Sequence, residues 1–183
     1  MDEKEVSVHQ SLMNKAYELW CKDEDSKSMS YESFLDCVES ELGSLHRMAV
    51  ITGNLNYQVE NGGFSQWDGN EYSCTLEELI NFFKSLYDNN LENKSIKKIN
   101  RILEEINEIF EWKDDCDYII GRMSHEAKMF IEEIYDENID EKLDEEVGNK
   151  LSDLDNEYYK INEELNKILE EYFSTEINKI SNE

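Results

Sequence analysis

Apolar positions recur at helical spacing along most of the chain. Val8, Leu12, Ala16, Leu19 and Trp20 keep to one face and predict a first helix over about residues 5–22. Residues 23–30 read as a turn. Ser30 stands where an N-cap is needed, and Phe34, Leu35, Val38, Leu42, Leu45, Met48, Ala49 and Ile51 predict a second helix behind it. Thr75-Leu76-Glu77-Glu78 has the form of a capping box, in which a hydroxyl and a carboxylate three residues on satisfy free N–H groups at a helix start. It predicts a third helix to about Asn89, with Leu79, Ile80, Phe82, Phe83, Leu86 and Tyr87 as its apolar set. Ile96, Ile99, Ile102, Leu103, Ile106, Ile109 and Phe110 form the stripe of a fourth helix over about 95–112. A fifth is expected from Ser124 to about Tyr135, with Ala127, Phe130, Ile131 and Ile134 turned inward. Ile139, Leu143 and Val147 allow one short helix within residues 136–150. Leu154, Tyr158, Ile161, Leu165, Ile168, Leu169 and Tyr172 predict a last one over about 152–173. Residues 174–183 are expected to fray.

Residues 52–74 break the pattern. Gly53, Gly62, Gly63 and Gly69 lie among Asn54, Asn56, Asn61 and Asn70, with Tyr57, Phe64, Trp67 and Tyr72 supplying aromatic bulk. This composition reads as an ordered Gly-rich loop pinned to the core by Phe64 and Trp67, with a positive φ at Gly62 or Gly63. The chain contains no proline, which argues against a loop-rich or sandwich fold. The expected architecture is therefore all-α: a single domain over residues 1–183, a bundle of about six to seven helices with that one loop. No internal repeat or linker divides it.

Charge changes the functional picture. Forty-four Asp and Glu stand against eighteen Lys and Arg, a formal net of −26. Solubility needs only about 2–8 net charges on a small domain. The balance excludes unassisted binding to nucleic acid or to an anionic membrane and points to a cationic partner. Half of the net charge lies on residues 132–183. The densest run is Glu132, Glu133, Asp136, Glu137, Asp140, Glu141, Asp144, Glu145 and Glu146, with Asp114, Asp115 and Asp117 as a secondary patch. Like charges at i and i+4 on a helix repel, so such a run costs stability unless the face is used.

Other chemistry is weakly signalled. His9, His46 and His125 lack paired metal-ligand spacing, and no calcium-loop pattern occurs, so neither a metal nor a cofactor is expected. No nucleophile elbow, P-loop or GxGxxG is present, and no catalytic residue is assigned. Cys21, Cys37, Cys74 and Cys116 form no CxxC pair and read as buried, reduced thiols. The charged N-terminus carries no apolar signal core and no window suits a membrane span, which makes a cytoplasmic protein the expectation.

Tyr57-Gln58-Val59-Glu60-Asn61-Gly62-Gly63-Phe64-Ser65-Gln66-Trp67 resembles the signature of a bacterial DNA-mimic family, named for DNA mimic protein nineteen. Leu154-Asp155-Asn156-Glu157-Tyr158-Tyr159 is similar to that family's closing helix, and the resemblance spans about residues 30–173. Gln58 departs from the pattern, where an acidic residue is expected. The resemblance implies an all-helical, often dimeric, non-enzymatic protein that imitates DNA phosphates with surface carboxylates. Asn61, Gly62, Gly63, Phe64, Gln66 and Trp67 then mark the scaffold, while the acidic residues carry the contact with a basic DNA-binding protein. A transcription factor, a nucleoid protein or a defence nuclease all fit as that partner. An acidic immunity or antitoxin protein, plugging a basic toxin site, is the alternative.

Overall fold

The computed structural model describes residues 6–22, 29–89, 93–135 and 138–182. Among them are eight α-helices and no strand: α1 (Val8–Lys22), α2 (Tyr31–Leu42), α3 (Ser44–Gly69), α4 (Leu76–Asn89), α5 (Lys94–Gly121), α6 (His125–Tyr135), α7 (Ile139–Tyr158) and α8 (Asn162–Ile180). The protein is a single all-α domain. Helix α3 is its axis, with α1, α2, α7 and α8 packed on it, while α4 pairs with α5 and α5 with α7.

The expected second helix is two helices. Gly43, at φ 88°, stops α2 and lets the chain restart as α3. Ser30 caps α2 as expected, its hydroxyl oxygen accepting the Ser33 N–H at 3.2 Å. The expected loop over 52–74 is not a loop. Helix α3 runs through residues 52–69 and is interrupted only at Gly62 and Gly63. Its seven residues Ala49–Leu55 are all buried, so no polar face appears. The polar ones are paired internally. Asn54 accepts from the Tyr17 hydroxyl at 2.6 Å and donates to the Tyr31 hydroxyl at 2.8 Å. The Thr52 hydroxyl donates to the Met48 carbonyl at 2.8 Å.

The capping box does not form. The Thr75 hydroxyl donates to the Tyr72 carbonyl, closing a 3-10 turn over Tyr72–Thr75. Glu78 instead receives Arg47 through two guanidinium nitrogens, at 2.7 and 3.0 Å. Arg47 also reaches Asp36 at 2.9 Å, and so ties α2, α3 and α4 together.

Helix α5 continues to Gly121, nine residues past its expected end near residue 112, and buries Ile120. The break between the last two helices falls at residues 159–161, inside the segment expected as one helix. Tyr158, Ile161 and Leu165 are all buried, so the apolar period passes through the turn without a gap. Residues 174–180, expected to fray, continue α8. Among the thiols, Cys74 is exposed and Cys37 and Cys116 are half-buried, so the expectation of buried cysteines fails for these; the Cys21 side chain lies outside the described residues.

The start of α1 is held by a carboxylate of α8. Glu170 accepts the N–H groups of Val8 at 2.7 Å and His9 at 3.0 Å. Partial burial pushes Glu170 up, but those N–H groups outweigh it and hold the carboxyl below its ordinary range. Burial holds the His9 imidazole below its ordinary value. Both groups therefore contribute stability above their unfolded pKa values and lose it as pH falls. Protection of the Val8 and His9 amides relative to the unfolded chain should fall on acidification, first as pH drops through and below the ordinary histidine range and again below the carboxylate range. Equal protection at neutral and strongly acid pH would contradict this linkage.

Candidate functional site

The two stretches that carry the family resemblance meet in space. Gly63 takes φ 75° and ψ −175°, a region closed to side chains, and this turns the Phe64 N–H out of the helix. That N–H donates to Asp155 Oδ1 of α7 at 2.7 Å. A Cβ on Gly63 would sit 2.2 Å from Asp155 Oδ2, so the carboxylate fills the place a side chain would take. Phe64 and Trp67 are fully buried, as expected, and the Phe64 ring meets Tyr158 edge-on at 5.6 Å. The Tyr159 hydroxyl donates to the Val59 carbonyl at 2.8 Å. Gln58 accepts from Gln66 at 2.7 Å and from Asn70 at 2.9 Å, bracing the two halves of α3. Asn61 is exposed and donates to the Tyr57 carbonyl. Burial pushes the Asp155 carboxyl up, and the Phe64 N–H opposes that shift.

Helix α7 is thereby fixed against α3 and presents its acidic residues along its first turns. Asp140, Glu141, Asp144 and Glu145 are exposed. They form two rows at i and i+4, each advancing about 6 Å, close to two phosphate steps of about 3.4 Å along a DNA strand. Asn138 caps the helix, its side-chain oxygen accepting the N–H groups of Asp140 and Glu141.

The secondary patch joins this surface. Lys113 of α5 lies 3.1 Å from Asp144 and 3.9 Å from Asp117, and its hydrogen bond to Asp144 raises the ammonium above its ordinary value. Lys150 stacks over Trp112 at 5.2 Å and pairs with Glu146 at 3.8 Å, closing the same seam. Asp114, Asp115 and Asp117 are exposed there. On α6, Glu133 is exposed and Glu132 is half-buried, accepting from Asn138 at 3.3 Å. Asp136 and Glu137 lie outside the described residues.

Helix α6 departs most from expectation. Ala127, Phe130 and Ile134 point to solvent rather than to the core, and only Ile131 is half-buried. Phe130 is 63% exposed, Ile134 57% and Met129 53%, and Tyr118 and Ile119 at the end of α5 are similarly open. The periodicity of α6 is real, and the helix packs against α7, but most of its apolar face stays exposed. An apolar face beside the carboxylates is thus a part of this surface that sequence reasoning assigned to the core.

A cleft of about 1000 Å³ lies elsewhere, between α1, α3 and α8. Two of its titratable groups, Glu170 and His9, are engaged in structure. Glu170 caps α1, and the His9 ring contacts the Ala49 carbonyl and the Thr52 hydroxyl. Among the described residues, no group of three or more His, Cys, Asp and Glu is placed to hold a metal. Among the described residues, no helix is long and apolar enough to cross a membrane.

Comparison with curated proteins and with solved structures finds no match. A family model described as DMP19-like protein matches residues 40–176, a span that contains the kinked α3, the Asp155 anchor and the whole acidic surface, and the chain belongs to that family.

Proposed function

We propose that the protein is a DNA mimic without enzymatic activity, acting in the cytoplasm. Its carboxylates on α5, α6 and α7 occupy the DNA-binding surface of a basic DNA-binding protein and exclude DNA by competition. The observation that carries this reading is the junction of two acidic patches across the α5–α7 seam, at Lys113, in a chain of this family and of net charge −26. Carboxylates on an extended face steer a cationic partner and pair with its Lys and Arg as phosphates do. The contact residues are Glu132, Glu133, Asp140, Glu141, Asp144, Glu145 and Glu146, with Asp114, Asp115 and Asp117, and the run extends in sequence through Asp136 and Glu137.

The test is a competition titration. A partner recovered from the native host is bound to labelled duplex DNA and titrated with this protein. Displacement of the DNA is expected, with complete exchange at saturation. A ternary complex that keeps both affinities would overturn mimicry and favour an immunity role.

Self-association belongs to the same reading. We place a homodimer contact on the exposed α6 face of Met129, Phe130 and Ile134. Light scattering should then give twice the chain mass for the native protein, and Phe130→Asp should halve it. A monomeric native protein would remove this part of the proposal.

A further inference from the structure

Helices α5 and α7 pack side by side, and two open hollows, of about 710 and 250 Å³, lie along the line between them. The first is bordered by Glu108, Ile109 and Trp112 of α5 and by Glu146, Lys150 and Leu154 of α7. The second is bordered by Cys116, Ile119 and Ile120 of α5 and by Ile139, Leu143 and again Glu146 of α7. On each helix these positions recur at three- and four-residue steps, so each set keeps to one face. The hollows meet at Glu146 and form one furrow. From Ile139 to Leu154 it runs about 22 Å, the length of about four helical turns.

The furrow has an apolar floor and an acidic rim. Ile109, Trp112, Cys116 and Ile139 are only half-buried, and Ile119 is exposed. The rim holds Glu105, Glu108, Glu146, Asp153 and Glu157 against Lys142 and Lys150. Part of this charge is engaged within the chain. Glu105 pairs with Arg101, and Glu157 with Lys98 and Arg101. Glu108 of α5 and Asp153 of α7 are exposed and make no ion pair among the described residues. The Trp112 ring carries the Lys150 ammonium at 5.2 Å, so the floor itself accepts a cation.

We propose that this furrow receives a basic amphipathic helix of a protein partner. Apolar side chains at i, i+3, i+4 and i+7 of that helix seat on Ile109, Trp112, Ile119 and Leu143, and its Lys and Arg residues pair with the rim on either side. A second copy of this chain is a poorer occupant. The open apolar face of α6 stands on a helix that carries Glu126, Glu132 and Glu133 with Lys128 as its only Lys or Arg, and it would set carboxylate against carboxylate. No described residue of α6 lines the furrow, which is a different surface from the self-association contact. Docking there does not require that DNA be displaced, so this proposal and the mimic reading fail separately.

The probe is a synthetic peptide of about 18 residues with Leu on one helical face among Lys and Ala, compared with its scrambled isomer of equal charge. Fluorescence anisotropy with the full chain, at physiological salt, gives both affinities. The ordered peptide should bind about tenfold more tightly or better, because it alone presents a continuous apolar face. Its amide shifts should concentrate on residues 105–120 and 139–157. Ile119→Gln should weaken the ordered peptide about tenfold and leave the scrambled one unchanged. Glu108→Lys with Asp153→Lys should weaken the ordered peptide about tenfold or more. Glu41→Lys with Glu171→Lys makes the same change of charge on α2 and α8 and should weaken it far less. All five substituted side chains are exposed, and circular dichroism of the variants should match the native chain. Equal affinity of the two isomers, shifts centred elsewhere, equal effects of the two charge reversals, or native affinity in Ile119→Gln would each overturn the proposal. A native dimer turned monomer by Ile119→Gln would overturn it as well, by giving the furrow to a second copy.

Discussion

Gly63→Val should lower the unfolding free energy by roughly 3–5 kcal/mol, the sum of two separate costs. A side chain held at this φ and ψ costs about 1–3 kcal/mol. The new Cβ would also occupy the position of the Asp155 carboxylate, 2.2 Å away. Displacing it breaks the hydrogen bond from the Phe64 N–H, and a bond to a charged group contributes about 1.5–3 kcal/mol. Small domains are stable by about 5–15 kcal/mol, so the variant should unfold at a far lower urea concentration. Gly69→Ala is the control. Nothing lies within 4 Å of its added methyl, and its backbone has no positive φ. Its midpoint should stay near that of the native chain. Coincident midpoints for the two variants would show that neither the backbone at Gly63 nor Asp155 matters to stability.

Neutralising Asp115, Glu133, Asp140, Glu141 and Glu145 together, as Asn or Gln, should act in the opposite way. All five are exposed and make no ion pair among the described residues. Partner affinity should fall by about 10- to 1,000-fold, since each exposed ion pair contributes about 0.2–1 kcal/mol. The dependence of that affinity on salt should flatten, because fewer charges are screened. Folding should be unchanged or slightly favoured, as the repulsion of Glu141 with Glu145 one turn apart is removed. Native-like affinity in this variant would place the contact elsewhere on the molecule.

The helices with one clean apolar stripe, α1, α4 and the first part of α5, were legible because each buries one face and wets the other. The middle of α3 was not. A helix buried on all sides has no polar face to mark its period, and Thr52, Asn54 and Gln58 resemble loop residues until their internal partners are known. The inward positions of Phe64 and Trp67 and the positive φ of the Gly62-Gly63 pair were readable, because a glycine pair beside large aromatics has few other uses. Asp155 was hidden among 44 acidic residues, although it makes one of the contacts that join the two recognisable stretches. In α6 the periodicity correctly gave a helix with an apolar face. Periodicity identifies a face but not what lies against it, and here most of that face meets water. The acidic run was visible as a run, whereas its union with Asp117 depends on Lys113 bridging from α5 to α7.

The Asp155 anchor lies about 21 Å along α7 from Glu141, fourteen residues at the rise of an α-helix. It works as a rotational lock: one carboxylate, seated where Gly63 leaves room, sets the angle at which the whole helix shows its outer residues. On the mimic reading proposed above, scaffold and recognition are written in different parts of the same helix. Descendants of such a chain can exchange every outward carboxylate on the first turns of α7, and so follow a changing target, while the lock keeps the new residues in register. Loss of the lock would turn an intact set of charges towards the wrong side.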